Sequence, residues 1–371
     1  MTAQARLTTG PTGRLEALTG LRGLAAWYIV FFHLRLSLTD LLPSPVITAL
    51  ARGYLAVDLF FMLSGFVMWL NYAERLQSLN RSAIGRFWWR RFARIWPLHA
   101  VMLVGFAVLA AALALKGGDR SGYPLGEVPL HLLLIQNWGF TRALAWNHPA
   151  WSISAEMAAY LLFPLLAWFG SRNFGPAALV LGIGVLLCAL CGVFAAAGFA
   201  SLGQGITSLG LVRCLIEFTV GTLAARLWLG WHALPATRLI AALCAAGAAA
   251  SWATGLVLDL PETAWAPLLM VLVLLAIALN QGWVARLLGT GPLHWLGEVS
   301  YSTYLSHFGL FIVFKLLFAA ADLQLGALQL AGLVALLVLV SGLLHAMVEL
   351  PAQRAINALQ PNLRGRASLA R

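Results

Sequence analysis

The chain has 371 residues, of which 61% are hydrophobic and only 10% are charged, and its mean hydropathy is +0.84. This composition excludes an ordinary soluble domain, in which about 25% of residues are charged. The formal net charge of +11 could indicate nucleic acid, but the basic residues are spread between apolar segments, so we predict no nucleic-acid partner. The sequence predicts an all-α polytopic integral membrane protein that contacts membrane lipids.

Apolar runs broken by Pro, Gly and charge predict about ten transmembrane helices. The predicted spans are 20–41, 54–71, 95–115, 151–169, 174–199, 209–229, 238–257, 264–280, 294–318 and 327–349. Lys and Arg concentrate in alternate connections, so the positive-inside rule places both termini in the cytoplasm. We expect one transmembrane domain over 1–371, with short cytoplasmic tails at 1–18 and 355–371 and no fused soluble domain. The four cysteines lie in apolar helices, and no metal site is predicted.

The first predicted helix carries Arg22, His33 and Arg35 into a region that should be lipid. Arg22 and His33 are 11 residues apart, which returns to nearly the same helix face about 16 Å further along. If Arg22 marks the cytoplasmic boundary, His33 lies near the membrane midplane. An ionisable residue at that depth favours a functional role, and the alternative is a histidine satisfied by a neighbouring helix.

The second predicted span, GYLAVDLFFMLSGFVMWL, buries a carboxylate. Asp58 needs a partner there, and His33 or Arg35 on the adjacent helix is the expected one. Ser64 can bond to its own helix, and Gly65 lets a neighbouring backbone approach closely. Structural and functional roles stay open for both.

The densest basic segment, RSAIGRFWWRRFARIWPLH, precedes the third predicted span. It interleaves aromatic residues with five arginines: Arg81, Arg86, Arg90, Arg91 and Arg94. Such a segment can anchor to anionic lipid headgroups. The alternative is an anion site, because guanidinium groups bind phosphate bidentately and a dense cluster suits a polyphosphate or nucleotide portion of a ligand.

Two features surround the start of the fourth predicted span. The external connection 116–150 is long enough for a lid or a re-entrant segment. In WSISAEMAAY, the residues Ser152, Glu156 and Tyr160 recur every four positions and should share one helix face. This stripe predicts either contacts between helices or a polar site inside the bundle.

The second half of the chain has fewer polar positions. Arg213 and Glu217 are spaced for a structural ion pair within one helix. His307 lies in GEVSYSTYLSHFGLF, among Tyr and Ser hydroxyls, and Glu349 and Arg354 are expected at the cytoplasmic exit of the last span.

These residues fit the parts of an acyl transfer. A neutral His33 can take a proton from an attacking hydroxyl, with Glu156 or Asp58 orienting its ring. Arginines on the cytoplasmic side would hold a phosphorylated donor. A proton-coupled transporter or flippase, and a non-catalytic scaffold, stay open as alternatives. The two halves of the chain show no matched pair of broken helices, which disfavours the transporter.

Seven sequence blocks, in order along the whole chain, resemble the membrane acyltransferase-3 family, which includes bacterial polysaccharide O-acetylases. They are LTGLRGLAAWYIVFFH, GYLAVDLFFMLSGF, RRFARIWPLH, WSISAEMAAY, RCLIEFTVG, LGEVSYSTYLSHFGLF and VELPAQR. The resemblance implies a protein of the bacterial cytoplasmic (inner) membrane. It also implies an acyl-CoA donor, usually acetyl-CoA, bound from the cytoplasm, and an acceptor hydroxyl on a lipid-linked or exported glycan.

The resemblance also implies roles for individual residues. Arg22 and His33 correspond to the family's arginine–histidine signature on helix one, and Arg14 falls where a second arginine is expected. Together with the polar positions above, the predicted site comprises His33, Glu156 and Asp58 for catalysis, Arg14, Arg22, Arg90, Arg91 and Arg94 for the donor, and Trp151, Ser152, Ser64 and His307 for the substrate.

Two departures from the family's pattern leave alternatives open. His99 in RIWPLH stands where relatives often have an aromatic residue, so it either alters donor contacts or is neutral. Many relatives append an extracytoplasmic hydrolase-like domain, so this chain either acts alone or passes its acyl group to a partner protein of polysaccharide biosynthesis. We predict direct attack of the sugar hydroxyl on the thioester with His33 as general base; a covalent acyl-histidine route stays open, because the sequence does not distinguish the two.

Overall fold

The computed structural model describes residues 12–280, 282–318 and 324–360, with side chains from residue 16 onward. These residues form helices and loops only. The helices are α1 Thr12–Leu34, α2 Ser44–Leu50, α3 Ala56–Leu76, α4 Arg81–Leu115, α5 Val128–Leu132, α6 Ala150–Gly170, α7 Pro176–Ala196, α8 Ile206–Trp231, α9 Thr237–Val257, α10 Glu262–Leu279, α11 Trp283–Leu288, α12 Gly291–Glu298, α13 Ser300–Phe318, α14 Ala327–Leu344 and α15 Leu350–Ala358. A π-helical turn, His345–Glu349, joins α14 to α15.

In the part of the chain that the structure describes, ten helical segments are long and apolar enough to cross a membrane, which confirms the predicted all-α polytopic class. They are Glu16–Ser37, Ser44–Leu76, Arg81–Leu115, Ala150–Gly170, Pro176–Ala196, Ile206–Trp231, Thr237–Val257, Glu262–Leu279, Ser300–Phe318 and Ala327–Ala358. The cytoplasmic location of both termini and the single-domain organisation stay predictions.

The basic segment is the beginning of α4 and not a separate element before the third span. Asn80 caps this helix, because its side-chain oxygen accepts a hydrogen bond of 3.1 Å from the Ala83 backbone N–H. The 35 residues of α4 extend for about 52 Å, well beyond a hydrocarbon core of about 30 Å. The arginines therefore lie on a helix that is continuous with the membrane span.

Helices α3 and α8 pack at backbone contact in the centre of the bundle. A Cβ atom added at Gly65 would lie 1.9 Å from the carbonyl oxygen of Phe218, and one added at Gly221 would lie 1.9 Å from that of Met62. Only glycine permits this approach. The close backbone contact predicted at Gly65 is present.

The connection between α4 and α6 dips into the bundle. The backbone carbonyl of His131 bonds to His99 Nε2 at 2.8 Å, and that of Leu132 accepts a hydrogen bond of 2.9 Å from the Trp96 indole. His99 precedes the last residue of α4, Leu115, by 16 positions, or about 24 Å of helix. Of the two predicted alternatives, the geometry favours a re-entrant segment over a surface lid.

Candidate active site

One cavity, of about 180 Å³, lies among α1, α3, α4, α6 and α13. Its wall includes three arginines, Arg22, Arg91 and Arg94, and so we name it the arginine cavity. Of these three arginines, only Arg94 contacts a carboxylate among the described residues. The Nε of Arg91 is buried and finds no acceptor in that part of the chain, while its Nη2 donates to the Tyr72 hydroxyl at 3.1 Å. The cavity therefore offers unpaired positive charge.

Backbone contact between α1 and α12 fixes Arg22. Its Nε and Nη2 donate to the carbonyl oxygen of Gly297 at 3.1 and 2.7 Å. A Cβ atom at Gly297 would lie 1.9 Å from the Thr19 carbonyl oxygen, so this approach also requires glycine. The guanidinium is thereby held at the cavity wall.

The π-helical turn supplies the partner of Arg94. One Glu349 oxygen accepts from Arg94 Nη1, and the other accepts from the Ser302 hydroxyl at 2.8 Å. Glu349 is 2% exposed. A π-turn inserts one extra residue per turn and is frequent at functional sites. The sequence predicted Glu349 near the end of the last span but gave no indication that it would contact Arg94.

The polar stripe of α6 lies on one helix face, as its spacing predicted, and this face lines the arginine cavity. Ser152, Glu156 and Tyr160 all line it, together with Ser64 from α3. The hydroxyls of Ser64 and Tyr160 both donate to Glu156 Oε1, the latter at 2.6 Å. Glu156 therefore lies in the wall of the arginine cavity and makes no contact with His33, whose ring it was predicted to orient.

A second cavity, of about 490 Å³, adjoins the first. Its wall includes His33, Arg35, His148, Trp151 and Arg213, and we name it the histidine cavity. Burial lowers the pKa of His148, so that its ring is neutral at pH 7. His33 lies in the last turn of α1, which ends at Leu34.

His33 and His307 are in direct contact. The Nδ1 of His33 lies 3.0 Å from the Ile29 carbonyl oxygen and 3.2 Å from His307 Nε2. His307 is 3% exposed and lines neither cavity. It therefore contacts His33 from within the protein and not from the histidine cavity. Phe308 packs edge-on against the His33 ring, with centroids 5.6 Å apart.

The predicted pairing of Asp58 with His33 or Arg35 is wrong. Asp58 forms a bidentate ion pair with Arg213, at 2.6 Å from Nε to Oδ1 and 2.7 Å from Nη2 to Oδ2. Its side chain is fully buried, and Glu217, the predicted partner of Arg213, lies further from the guanidinium at 3.9 Å. A carboxylate buried among apolar groups takes the arginine that offers two parallel donors.

The two cavities share part of their walls. Val57 and Tyr304 line both. The Tyr304 hydroxyl lies 2.7 Å from Ser152 Oγ and donates to the Pro149 carbonyl oxygen at 2.9 Å. A thin layer of side chains therefore separates the group of arginines from His33. Nothing in the sequence pattern indicated that Val57 and Tyr304 would form this partition.

Three other residues that the sequence singled out lie outside the two cavities or outside the described side chains. Arg90 lies outside both cavities, in a neighbouring groove with Tyr72. His99 is 1% exposed and lines neither cavity. The side chain of Arg14 lies outside the described residues.

Fold and site together define a multi-pass helical membrane protein in which a cationic cavity and a histidine-containing cavity meet inside the bundle. The chain belongs to the acyltransferase-3 family: the family's profile, described as an acyltransferase domain, matches residues 15–346. The family assignment that the seven blocks indicated is confirmed.

Several curated proteins resemble this chain. Acyltransferase MdmB of Streptomyces mycarofaciens is 29% identical, with 94% of each chain covered. The O-acetyltransferase OatA of Staphylococcus aureus is 23% identical over 58% of this chain and 35% of its own length. Protein 2 in picA locus of Rhizobium radiobacter is 36% identical over 30% of this chain and 53% of its own. No solved structure matches the chain significantly.

Proposed function

We propose that this protein transfers an acyl group, most simply acetyl, from acyl-CoA to a hydroxyl of a glycan or of its lipid-linked precursor, in the bacterial cytoplasmic membrane. The observation that carries the proposal is the meeting of the two cavities at Val57 and Tyr304. One cavity has the charge for a phosphorylated donor, and the other has a histidine for the acceptor hydroxyl. Membership of an acyltransferase family supports the reaction class.

The arginine cavity suits the donor. Its lining on α3 runs from Met68 to Val57, which is 11 residues or about 16 Å of helix. A long flexible arm would lie along this path, with its phosphates near Arg91 and Arg90 and its thioester at the partition. Glu156, Ser64 and Tyr160 offer hydrogen-bonding groups to the amides and hydroxyl of such an arm.

The chemical step uses His33 as a general base. Its ring accepts the proton of the acceptor hydroxyl as the oxygen forms a bond with the thioester carbonyl carbon. The carbon–sulfur bond then breaks, the thiolate leaves with the bonding electrons, and a proton returns from the imidazolium or from solvent to the sulfur. The products are an ester and free CoA.

The histidine cavity suits a sugar acceptor. The Trp151 ring offers an apolar face, and Arg35 and Gln204 offer hydrogen-bond donors around His33. The O-acetyltransferase name of one relative supports a hydroxyl acceptor.

Replacement of the proposed base tests this function. Purified protein in lipid vesicles, incubated with radiolabelled acetyl-CoA and a cell-envelope extract, should label a glycan or glycolipid. His33→Ala should lose about 10²- to 10⁴-fold of that rate while acetyl-CoA binding persists. His232→Ala is the matched control, since His232 stacks on Trp228 and lines neither cavity. Labelling by His33→Ala at the wild-type rate, or solute uptake without labelled product, contradicts the proposal.

A further inference from the structure

The contacts of His307 define which of its ring nitrogens carries a proton. Its Nδ1 lies 2.7 Å from the Tyr304 carbonyl oxygen and 3.2 Å from that of Thr303. Carbonyl oxygens only accept hydrogen bonds, so Nδ1 is the protonated nitrogen. The Nε2 of a neutral His307 therefore presents a lone pair, and this lone pair faces His33 at 3.2 Å.

The same reasoning applies to His33. Its Nδ1 faces two acceptors, the Ile29 carbonyl oxygen at 3.0 Å and His307 Nε2 at 3.2 Å. It therefore carries the proton and shares it between them. The other nitrogen, Nε2, is left unprotonated on a residue that lines the histidine cavity. That nitrogen is the one able to accept a proton.

We propose that His307 is a positioning residue that holds His33 in the Nδ1–H form, so that Nε2 is the base. The proposal rests on the proposed function of His33. When Nε2 takes the acceptor's proton, Nδ1 keeps its own, and the resulting imidazolium is stabilised because His307 Nε2 accepts that hydrogen bond. This role replaces the substrate contact predicted for His307, which the burial of its side chain disfavours.

A pair of substitutions separates the two nitrogens of His307. In His307→Gln the side-chain amide reaches the position of Nε2, so its oxygen can still accept from His33. In His307→Asn the amide reaches only the position of Nδ1, so the bonds to the Tyr304 and Thr303 carbonyls can persist while the contact with His33 is lost.

We expect His307→Gln to keep kcat within about tenfold, and His307→Asn to lose about 10²- to 10⁴-fold. The KM for acetyl-CoA should stay unchanged in both, because His307 lies outside the arginine cavity. An active Asn variant, with or without an active Gln variant, would overturn the proposal, since a purely structural His307 needs only its Nδ1 bonds.

The ring-nitrogen NMR shifts of ¹⁵N-histidine-labelled protein give a readout independent of activity. Subtracting the His33→Ala spectrum assigns His33, which should show a protonated Nδ1 in the wild type. In His307→Asn the shift of that nitrogen should move, because one of the two acceptors of its proton is lost and only the Ile29 carbonyl oxygen remains. A wild-type His33 protonated at Nε2 would overturn the proposal. This result applies even if His307→Gln and His307→Asn are both inactive. Active His33→Ala protein would instead refute the proposed function.

Discussion

At the scale of single residues, Asp58 differs most from its predicted role. It is fully buried and accepts two parallel hydrogen bonds from Arg213, which also donates to the Leu202 carbonyl oxygen at 2.8 Å. Removing Asp58 leaves the buried guanidinium with only the more distant Glu217, at 3.9 Å, and breaking a buried ion pair in this way costs about 3–5 kcal/mol. The pair therefore serves to hold α3 against α8.

We predict that Asp58→Asn lowers stability far more than it lowers activity per folded molecule. The thermal unfolding midpoint in one detergent should fall markedly. Asp58→Leu combined with Arg213→Met and Glu217→Gln should recover part of the loss, because no charge of this buried cluster is then left without a partner. An Asp58→Asn protein with wild-type stability but no activity would contradict this structural role and would support the catalytic role that the sequence predicted for Asp58.

Arg91 tests the donor assignment. Its buried Nε has no acceptor among the described residues, which suits an anionic ligand. Since a hydrogen bond to a charged group contributes about 1.5–3 kcal/mol, Arg91→Ala should raise the KM for acetyl-CoA about 10- to 100-fold, with a smaller change in kcat. Arg226→Ala is the control, because Arg226 bonds to the Arg172 carbonyl and lies outside both cavities. An unchanged KM in Arg91→Ala would exclude Arg91 from donor binding.

At the scale of elements, the α3–α8 contact aligns the two cavities, because α3 lines both. We predict that Gly65→Ala and Gly221→Ala each destabilise the protein by at least about 1–3 kcal/mol, since the added methyl would meet a backbone carbonyl. Gly105→Ala is the control, because nothing beyond the adjacent residues and backbone of its own helix lies within 4 Å of the position that its added methyl would take. Equal unfolding midpoints for Gly65→Ala and Gly105→Ala would contradict this packing.

How far the sequence predicts these elements depends on the range of the interactions. The ten spans and the shared face of Ser152, Glu156 and Tyr160 follow from local hydropathy and helical spacing. The pairing of Asp58 with Arg213 joins positions 155 residues apart, and no local pattern encodes it. The same holds for the contact between His33 and His307, 274 residues apart.

At the scale of the whole molecule, the two cavities adjoin at the side chains of Val57 and Tyr304, which line both. Under the proposed function, this arrangement would let donor and acceptor approach from opposite sides without an open pore. The proposed orientation places the arginine cavity toward the cytoplasm, in keeping with the distribution of basic residues.

Sidedness of transfer tests the central claim most directly. Sealed membrane vesicles of both orientations, prepared from cells that contain the acceptor, are given radiolabelled acetyl-CoA, which does not cross the bilayer. We predict labelled glycan or glycolipid in inside-out vesicles, its loss in His33→Ala vesicles, and no labelling of right-side-out vesicles until they are permeabilised. Equal labelling of intact right-side-out vesicles would contradict a donor site that opens to the cytoplasm and an acceptor site on the opposite face.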